Sequence, residues 1–260
     1  METSLLDSIP VPIIFILIVL LILLSNEVGY RIGMRARKRY AGEMVATQGP
    51  LVGGLLGMLA FVLAFTFSMA ASHHDQRKKF TLQEANVIGT AYLRADLLPP
   101  KHRQEIKKLL REYVDVRLRG AKDDAYLAEA IKRSLEIHGL LWQQVLEASQ
   151  NADIRTGLVI QSINDLIDMH ENRIEKGIYT KIPGSVWFAL FAISAFTMVT
   201  IGIQIGFVRT RGLLAIVPLS LAFAVLATLV IDLDNPGTGF IKEGQYAMED
   251  LQSTMKVKAQ

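Results

Sequence analysis

Charge-free apolar runs alternate with charged stretches along the chain, and their arrangement gives the first prediction. Two runs lie near each end of the chain and bracket a charged middle, and none of the four contains Asp, Glu, Lys, Arg or His. Because a helix rises about 1.5 Å per residue, about 20 such residues cross a hydrocarbon core of about 30 Å. A backbone in lipid must also satisfy its own hydrogen bonds. We therefore predict an all-α integral membrane protein whose four transmembrane helices are Ile9 to Leu24, Pro50 to Ala71, Gly184 to Phe207 and Leu213 to Ile231.

The charged middle, between the second and third runs, predicts an extramembrane helical domain. Its first helix continues the second run, because no Gly or Pro interrupts residues 67–88, and it ends before Pro99 and Pro100. Apolar stripes at helical spacing follow, and we interpret them as core, with Tyr113, His138 and His170 among them. The predicted divisions are a first transmembrane pair (1–71), the helical domain (72–183), a second transmembrane pair (184–232) and a C-terminal tail (233–260).

Composition narrows the possible functions. The 260 residues carry a formal net charge of +3 and include no Cys, which excludes disulfides and thiolate chemistry. The basic residues form no stripe with interleaved aromatics, so we predict no nucleic-acid partner. No GxSxG, HExxH or Gly-rich phosphate loop is present, so we predict no catalytic residue, no cofactor and no enzyme activity. The runs also lack the ionisable residues that pumps and ion-coupled transporters use.

Basic residues in the short loops favour one orientation in the membrane. Five lie between the first two runs, and Arg209 and Arg211 lie between the last two. Because basic short loops favour the cytoplasm, this pattern predicts that the 72–183 domain and both termini lie on the non-cytoplasmic side. Six basic residues of the domain lie close to the membrane and nearly cancel this bias.

The second run presents one face of small and aromatic residues. Gly53, Gly57, Phe61 and Phe65 follow one another at a spacing of four residues, so neighbouring members share a helix face. Small residues let helix backbones approach closely inside the bilayer. Two interpretations stay open: this face packs against another span of the same chain, or copies of the helix surround a pore narrowed by rings of Phe61 and Phe65. An apolar constriction of that kind can gate by dewetting.

Two polar groups at the membrane edge are candidates for a metal or cation site. His73, His74 and Asp75 are consecutive, and adjacent helical side chains point about 100° apart, so we expect solvated residues rather than a metal site. Asp232 and Asp234 precede a Pro/Gly turn and form a possible cation site through oxygen ligands. Because two carboxylates are few for calcium, a helix-end turn with solvated carboxylates is the preferred interpretation.

Three stretches carry a resemblance to a known family. They are GGLLGMLAFVLAFTFSMAASHHDQRKKFTLQEANVIGTAYLRADLLPP, LLREYVDVR and DLDNPGTGFIK. With them the chain resembles the bacterial bestrophin-like family of four-span membrane proteins, distant relatives of the true bestrophins. That resemblance implies a pentameric anion channel with a helical domain between spans two and three. It also implies an apolar neck from the second span, where Gly57, Phe61 and Phe65 occupy the matching stretch.

Two features depart from the true bestrophins. The acidic calcium clasp of the animal proteins is not visible, since Glu243 is the one further carboxylate near Asp232 and Asp234. True bestrophins also keep the helical domain in the cytosol, whereas the short-loop charges here favour the other side. The resemblance therefore supports the predicted architecture more strongly than it supports ion conduction.

Together these observations predict a multi-pass protein of the bacterial plasma membrane that forms a homo-oligomer and conducts small inorganic ions passively, with a preference for anions. Phe61 and Phe65 form its neck, Gly53 and Gly57 are close-packing positions, and Arg77, Lys78 and Lys79 form a basic vestibule. The alternative is a non-conducting membrane scaffold or sensor whose helical domain binds a partner. The surroundings of the two phenylalanines distinguish these hypotheses, since they face a symmetry axis in the first and are buried within one subunit in the second.

Overall fold

The computed structural model describes residues 9–40, 45–149, 154–208, 212–235 and 239–257, which form eight α-helices and no β-strand. Two compact units result: unit 1 comprises Met1–His73 and Lys181–Ile241, and unit 2 comprises His74–Thr180 and Lys242–Gln260. The helices are α1 (Val11–Tyr40), α2 (Val45–Arg94), α3 (Pro100–Lys122), α4 (Leu127–Ala148), α5 (Ile154–Ile174), α6 (Gly184–Val208), α7 (Leu213–Asp234) and α8 (Tyr246–Val257).

Unit 1 contains the apolar helices. Four helical segments of the described chain are long and apolar enough to cross a membrane, and each overlaps one of the four charge-free runs. The prediction of an all-α, four-span membrane protein is therefore confirmed. The core of this unit is built from aliphatic side chains of α1, α6 and α7, among them Ile14, Ile18, Ile22, Leu190, Met198, Ala227 and Val230.

Paired glycines bring α1 and α6 into backbone contact. A Cβ atom built on Gly29 would lie 2.1 Å from the Val199 carbonyl oxygen, and one on Gly202 would lie 2.2 Å from the Asn26 carbonyl oxygen. For Gly33 and Gly206, one turn further along, the corresponding distances to carbonyl oxygens of the opposite helix are 2.3 Å (Ile203) and 2.6 Å (Tyr30). Only residues without a side chain fit at such distances, because real Cβ atoms do not approach so closely. The close-packing positions within one chain are therefore these two GxxxG pairs.

The connection from α6 to α7 ends at a glycine for a conformational reason. Gly212 has a φ of 53°, in the left-handed region that strains residues with a side chain, and it directly precedes α7. Arg209 and Arg211, on which the predicted orientation partly depends, lie outside the described residues.

Unit 2 is a helical bundle with its own apolar core. The second half of α2 packs with α3, α4 and α5 around side chains that include Ile88, Ile106, Leu110, Ile137, Leu141 and Ile163. The predicted helices of this region are present, and α2 runs unbroken until Arg94, shortly before the two prolines. The segment predicted as a tail instead contributes α8 to this core, where Met248 and Met255 are buried.

Candidate functional site

The small and aromatic face of α2 is uncovered in the single chain. Phe61 is 73% exposed and Phe65 is 58% exposed. A Cβ atom added to Gly53 or Gly57 would meet no atom within 4 Å. Phe61, Phe65, Gly53 and Gly57 therefore do not pack against another span of the same chain, and the face they form is available to lipid or to another molecule.

The composition of this face differs from that of the exposed faces of α1 and α7, whereas α6 also exposes two phenylalanines, Phe188 and Phe196. On α1 and α7 the exposed apolar residues are large aliphatics, such as Ile16, Leu20, Leu214 and Val225. Most of the other exposed positions of α2 around the two phenylalanines are small, namely Gly53, Gly54, Gly57, Ala60, Ala64 and Ser68, and the larger Leu51, Met58 and Phe67 are exposed in the same stretch. Small side chains and a hydroxyl gain little from contact with acyl chains, whereas they permit close packing between helices.

Just beyond this stretch, α2 carries the three residues predicted to form a basic vestibule. Arg77 is only 3% exposed, and its Nε donates to Glu243 Oε1 at 2.5 Å. Its charge is therefore balanced inside unit 2. Lys78 and Lys79 are exposed and have no ion-pair partner among the described residues. The vestibule prediction consequently depends on these two lysines.

The carboxylates at the end of α7 act as hydrogen-bond acceptors for the backbone. Asp232 accepts from the backbone N–H groups of Phe240 and Ile241 at 2.7 and 3.0 Å. Asp234 accepts from the N–H group of Ile182 at 3.0 Å, and its Oδ1 lies 3.1 Å from Nδ1 of His73. The expectation that these carboxylates are solvated was wrong, because they are 4% and 6% exposed.

Backbone donors thus occupy the oxygens that a cation at Asp232 and Asp234 would need. No group of three or more His, Asp or Glu side chains able to hold a metal ion occurs among the described residues. His73 and His74, also expected to be solvated, are largely buried, since His73 contacts Asp234 and His74 is 8% exposed. A cation site at these two aspartates stays a prediction, and the geometry that surrounds them is that of a capped turn.

A buried ionic cluster lies at the centre of unit 2. The fully buried Glu84 accepts hydrogen bonds from Arg117 Nε at 3.0 Å, from Tyr113 Oη at 2.8 Å and from Arg173. Burial alone would raise the pKa of Glu84, but Arg117 and Arg173 lower it to about 2. Because Glu84 lies more than a dozen residues past the apolar run of α2, it lies outside the membrane-spanning segment. It is therefore ionised and paired.

The hydrogen bonds of this cluster also fix the tautomer of a histidine. Tyr113 Oη has one proton, which it donates to Glu84, and it lies 2.9 Å from Nδ1 of His170. Nδ1 of His170 must therefore carry a hydrogen and donate to Tyr113. Burial and Arg117 lower the pKa of His170 to about 3 and that of His138 to about 4, so both rings are neutral at pH 7. Their Nε2 atoms are buried without a hydrogen-bond partner in the described part of the chain.

Comparison with known proteins identifies the family. The model of the bestrophin-like domain matches residues 17–242. The chain belongs to the bestrophin-like family. The resemblance read from the three sequence stretches is thereby confirmed. A search of curated proteins finds no match for this bestrophin-like chain.

Solved structures support the same fold. Two single-substitution variants of a bacterial bestrophin homologue from Klebsiella pneumoniae resemble this bestrophin-like chain with TM-scores of 0.68 and 0.69, each at 15% sequence identity. The first comparison covers 94% of this chain and 99% of the homologue, and the second covers 96% and 99%. A structure described as a membrane protein matches with a TM-score of 0.68 at 15% identity over 94% of this chain and 97% of its own. At this identity the likeness shows the fold.

The sequence predicted some of the buried polar residues of this bestrophin-like protein and missed others. It predicted Tyr113, His138 and His170 as core positions, and they are buried. It did not predict Glu84, nor its partners Arg117 and Arg173. One signal was available, because Tyr113 and Arg117 are four residues apart and lie on one face of α3.

Proposed function

We propose that this protein assembles into a homo-oligomer around α2 and conducts small inorganic ions passively across the bacterial plasma membrane. The observation that carries the proposal is the uncovered face of α2, where Phe61 and Phe65 are exposed among glycines, alanines and a serine. The family membership supports the same function, since the resemblance to bestrophins implies an oligomeric channel with a neck from the second span. The number of subunits that we propose is five, on that resemblance alone.

The uncovered phenylalanines favour conduction over the scaffold hypothesis. A scaffold whose spans pack on one another would bury Phe61 and Phe65 within the subunit, and the single chain leaves both exposed. In a symmetric assembly the two side chains, one helical turn apart, form two stacked rings about 6 Å apart along the axis. Such rings carry no charge and no strong hydrogen-bond donor. Their effect is to resist wetting, so they act as a gate rather than as an ion-coordinating filter.

The anion preference is assigned to Lys79. Arg77 is paired with Glu243, which removes it from the set of free cations at the mouth. Lys79 follows Phe61 by about five helical turns, so along the continuous helix α2 it occupies the same face as the neck residues. Lys78 is rotated from that face by about 100°. Lys79 therefore raises the local concentration of anions, an attraction that weakens as salt screens it over about 8 Å.

Ion flux in liposomes that contain the purified protein tests this proposal. Wild-type protein should dissipate a chloride gradient faster than a potassium gradient, and the double variant Phe61→Ala, Phe65→Ala should widen the neck and raise the chloride flux. The matched control is Phe188→Ala with Phe196→Ala, which alters exposed phenylalanines on α6 and should leave the flux unchanged.

Substitutions of Lys78 and Lys79 test ion selectivity in the same assay. Lys79→Gln should lower the preference for chloride over potassium without closing the path, whereas Lys78→Gln should change it little. If wild-type and Phe→Ala proteins both leave the two gradients intact, the channel hypothesis fails and the scaffold hypothesis replaces it. If the two lysine variants behave alike, Lys79 is not the residue that sets selectivity.

A further inference from the structure

The first transmembrane helix carries charged residues alongside an apolar part of its neighbour. Gly29 of α1 lies against the backbone carbonyl of Val199 in α6, and Gly33 lies against that of Ile203. Because both residue numbers increase together, the two helices run in the same direction through this contact. Arg31 of α1, midway between the two glycines, is therefore level with the α6 backbone between Val199 and Ile203.

The position of this contact along α6 gives the depth of the charges in the membrane. The charge-free run of α6 covers residues 184–207, and as a helix it is about 36 Å long, about 6 Å more than a hydrocarbon core of about 30 Å. Arg31 is level with a point before Ile203 and therefore inside that run. Arg35 follows one turn later, near the end of the run, where hydrocarbon meets the headgroups.

Arg31 and Arg35 share an outward face of α1 with apolar side chains. Leu24, Val28 and Ile32 are exposed on this face and are spaced by four residues. The glycines that contact α6 lie on a different side of α1. Because α6 fixes the depth of this part of α1, the outward face meets acyl chains and headgroups rather than bulk water. An arginine side chain about one turn below the headgroups is long enough to reach them.

The two guanidinium groups have only one countercharge among the described residues. Arg31 Nε donates to Glu27 Oε1 at 2.8 Å, and its Nη groups make no hydrogen bond to a described residue. Arg35 is exposed and makes no hydrogen bond or ion pair with a described residue. Like charges four residues apart on a helix repel each other. An anion between the two arginines would remove this repulsion.

The charges of unit 1 favour a lipid over a second copy of the chain as the source of that anion. Among the described residues of unit 1, the carboxylates besides Glu27 are Asp232 and Asp234. Asp234 accepts from the N–H group of Ile182, just before the start of α6, whereas Arg31 lies near the end of α6. A second copy therefore offers no described carboxylate at this depth. Lipid phosphates lie at this depth, and arginine binds phosphate through two parallel N–H groups.

We propose that the outward face of α1 binds an anionic phospholipid. The phosphate lies between Arg31 and Arg35, and an acyl chain follows Val28 and Leu24 towards the membrane centre. A headgroup with a net negative charge, as in phosphatidylglycerol, binds more tightly than the zwitterionic headgroup of phosphatidylcholine, whose ammonium group the arginines repel. The site lies on α1 and does not depend on conduction through α2.

Native mass spectrometry of the purified full chain in detergent tests the proposal. The probes are phosphatidylglycerol and phosphatidylcholine with the same acyl chains. A basic residue beside an anionic headgroup contributes about fivefold to affinity. With two arginines, wild-type protein should therefore bind phosphatidylglycerol about 25-fold more tightly than phosphatidylcholine. No ion gradient is involved, so the result is independent of the proposed channel activity.

Arg35→Gln is the decisive variant, because Arg35 makes no hydrogen bond or ion pair that the fold would lose. It should lower the preference for phosphatidylglycerol to about fivefold, and Arg31→Gln combined with Arg35→Gln should abolish it. The matched control is Lys101→Gln combined with Lys132→Gln, which removes two exposed cations of unit 2 and the same net charge. The control should keep the preference of wild type.

Three results would overturn the proposal. The first is equal affinity of wild-type protein for the two lipids. The second is an equal loss of preference in the lysine control and in the arginine variants, which would show an effect of net charge alone. The third is displacement of phosphatidylglycerol by millimolar inorganic phosphate, which would make the arginines a site for free anions rather than for a lipid.

Discussion

At the scale of single residues, Glu84 connects α2 to α3 and α5 through the buried ionic cluster of unit 2. It accepts hydrogen bonds from Tyr113, Arg117 and Arg173 while fully buried. Glu84→Gln would leave two guanidinium groups in an apolar interior without a countercharge. We expect this variant to lower the free energy of unfolding by about 3–5 kcal/mol.

Denaturant unfolding of the protein in detergent, followed by circular dichroism, measures that loss. The exposed Glu171→Gln on α5 is the control and should stay within about 0.5 kcal/mol of wild type. A Glu84→Gln protein as stable as that control would show that the ionic cluster makes no net contribution to the free energy of unfolding.

The buried histidines predict how stability depends on pH. His138 and His170 have pKa values of about 4 and about 3 in the folded protein, against about 6.5 for an unfolded chain. Between these values the unfolded state binds protons that the folded state excludes, so stability falls as the pH falls from about 6.5 towards 4. Glu84, with a pKa of about 2, adds to the loss only below its unfolded value of about 4.5.

Thermal melts at pH 7 and pH 5 measure this dependence. The melting temperature should be lower at pH 5, and the difference should shrink in His138→Gln. A wild-type protein that melts at the same temperature at both values would contradict the assignment of neutral, buried rings.

At the scale of helices, two sets of glycines serve different contacts. Gly202 faces α1, where a side chain would collide with the backbone carbonyl of Asn26, whereas Gly57 faces open space in the single chain. Gly202→Leu should therefore prevent stable folding of unit 1. Gly57→Leu should leave the fold intact and weaken the proposed oligomer, because in that assembly it places a bulky side chain where neighbouring copies of α2 approach.

Native mass measurement and thermal melts, applied to both variants, separate the two effects. The expected pattern is a folded protein of lower oligomeric order for Gly57→Leu and a poorly folded protein for Gly202→Leu. An unchanged oligomer in Gly57→Leu, or a wild-type monomer, would remove α2 from the subunit interface.

The helices also show which parts of the fold the sequence reveals. The four charge-free runs identify the spans because length and absence of charge suffice in a bilayer. The glycine pairs of α1 and α6 cannot be identified from the sequence, because GxxxG occurs in three helices. Only the packing shows that the pairs that begin at Gly29 and Gly202 make the close contact within the chain. Helix α8 was missed because a short helix is stabilised by its partners, here the core around Met248 and Met255.

The candidate sites were predictable to a smaller extent. The sequence predicts that Phe61 and Phe65 share a helix face, because a spacing of four residues can be recognised within a short stretch of the chain. The pairing of Arg77 with Glu243 and of Glu84 with Arg173 joins positions far apart in the chain, so no local pattern marks them. A prediction that ranked Arg77 with Lys78 and Lys79 by charge alone could not distinguish a buried, paired residue from two exposed ones.

At the scale of the whole molecule, the orientation in the membrane is open to a direct test. The short-loop charges predict the 72–183 domain on the non-cytoplasmic side. Lys122→Cys introduces a thiol at an exposed position of a chain that contains no Cys, so the background is clean. The thiol should react with a membrane-impermeant maleimide in intact cells. Labelling that appears only after lysis would place the domain in the cytoplasm.

In the proposed assembly, copies of α2 surround an axis with Phe61 and Phe65 at its narrowest point. Electron-microscopic imaging of the purified oligomer tests it most directly, because it locates each helix relative to the symmetry axis. We expect a symmetric ring in which α2 lies innermost and the phenylalanine side chains of all subunits converge on the axis. A monomer, or an oligomer with α2 on its lipid-facing rim and another helix at the axis, would contradict it.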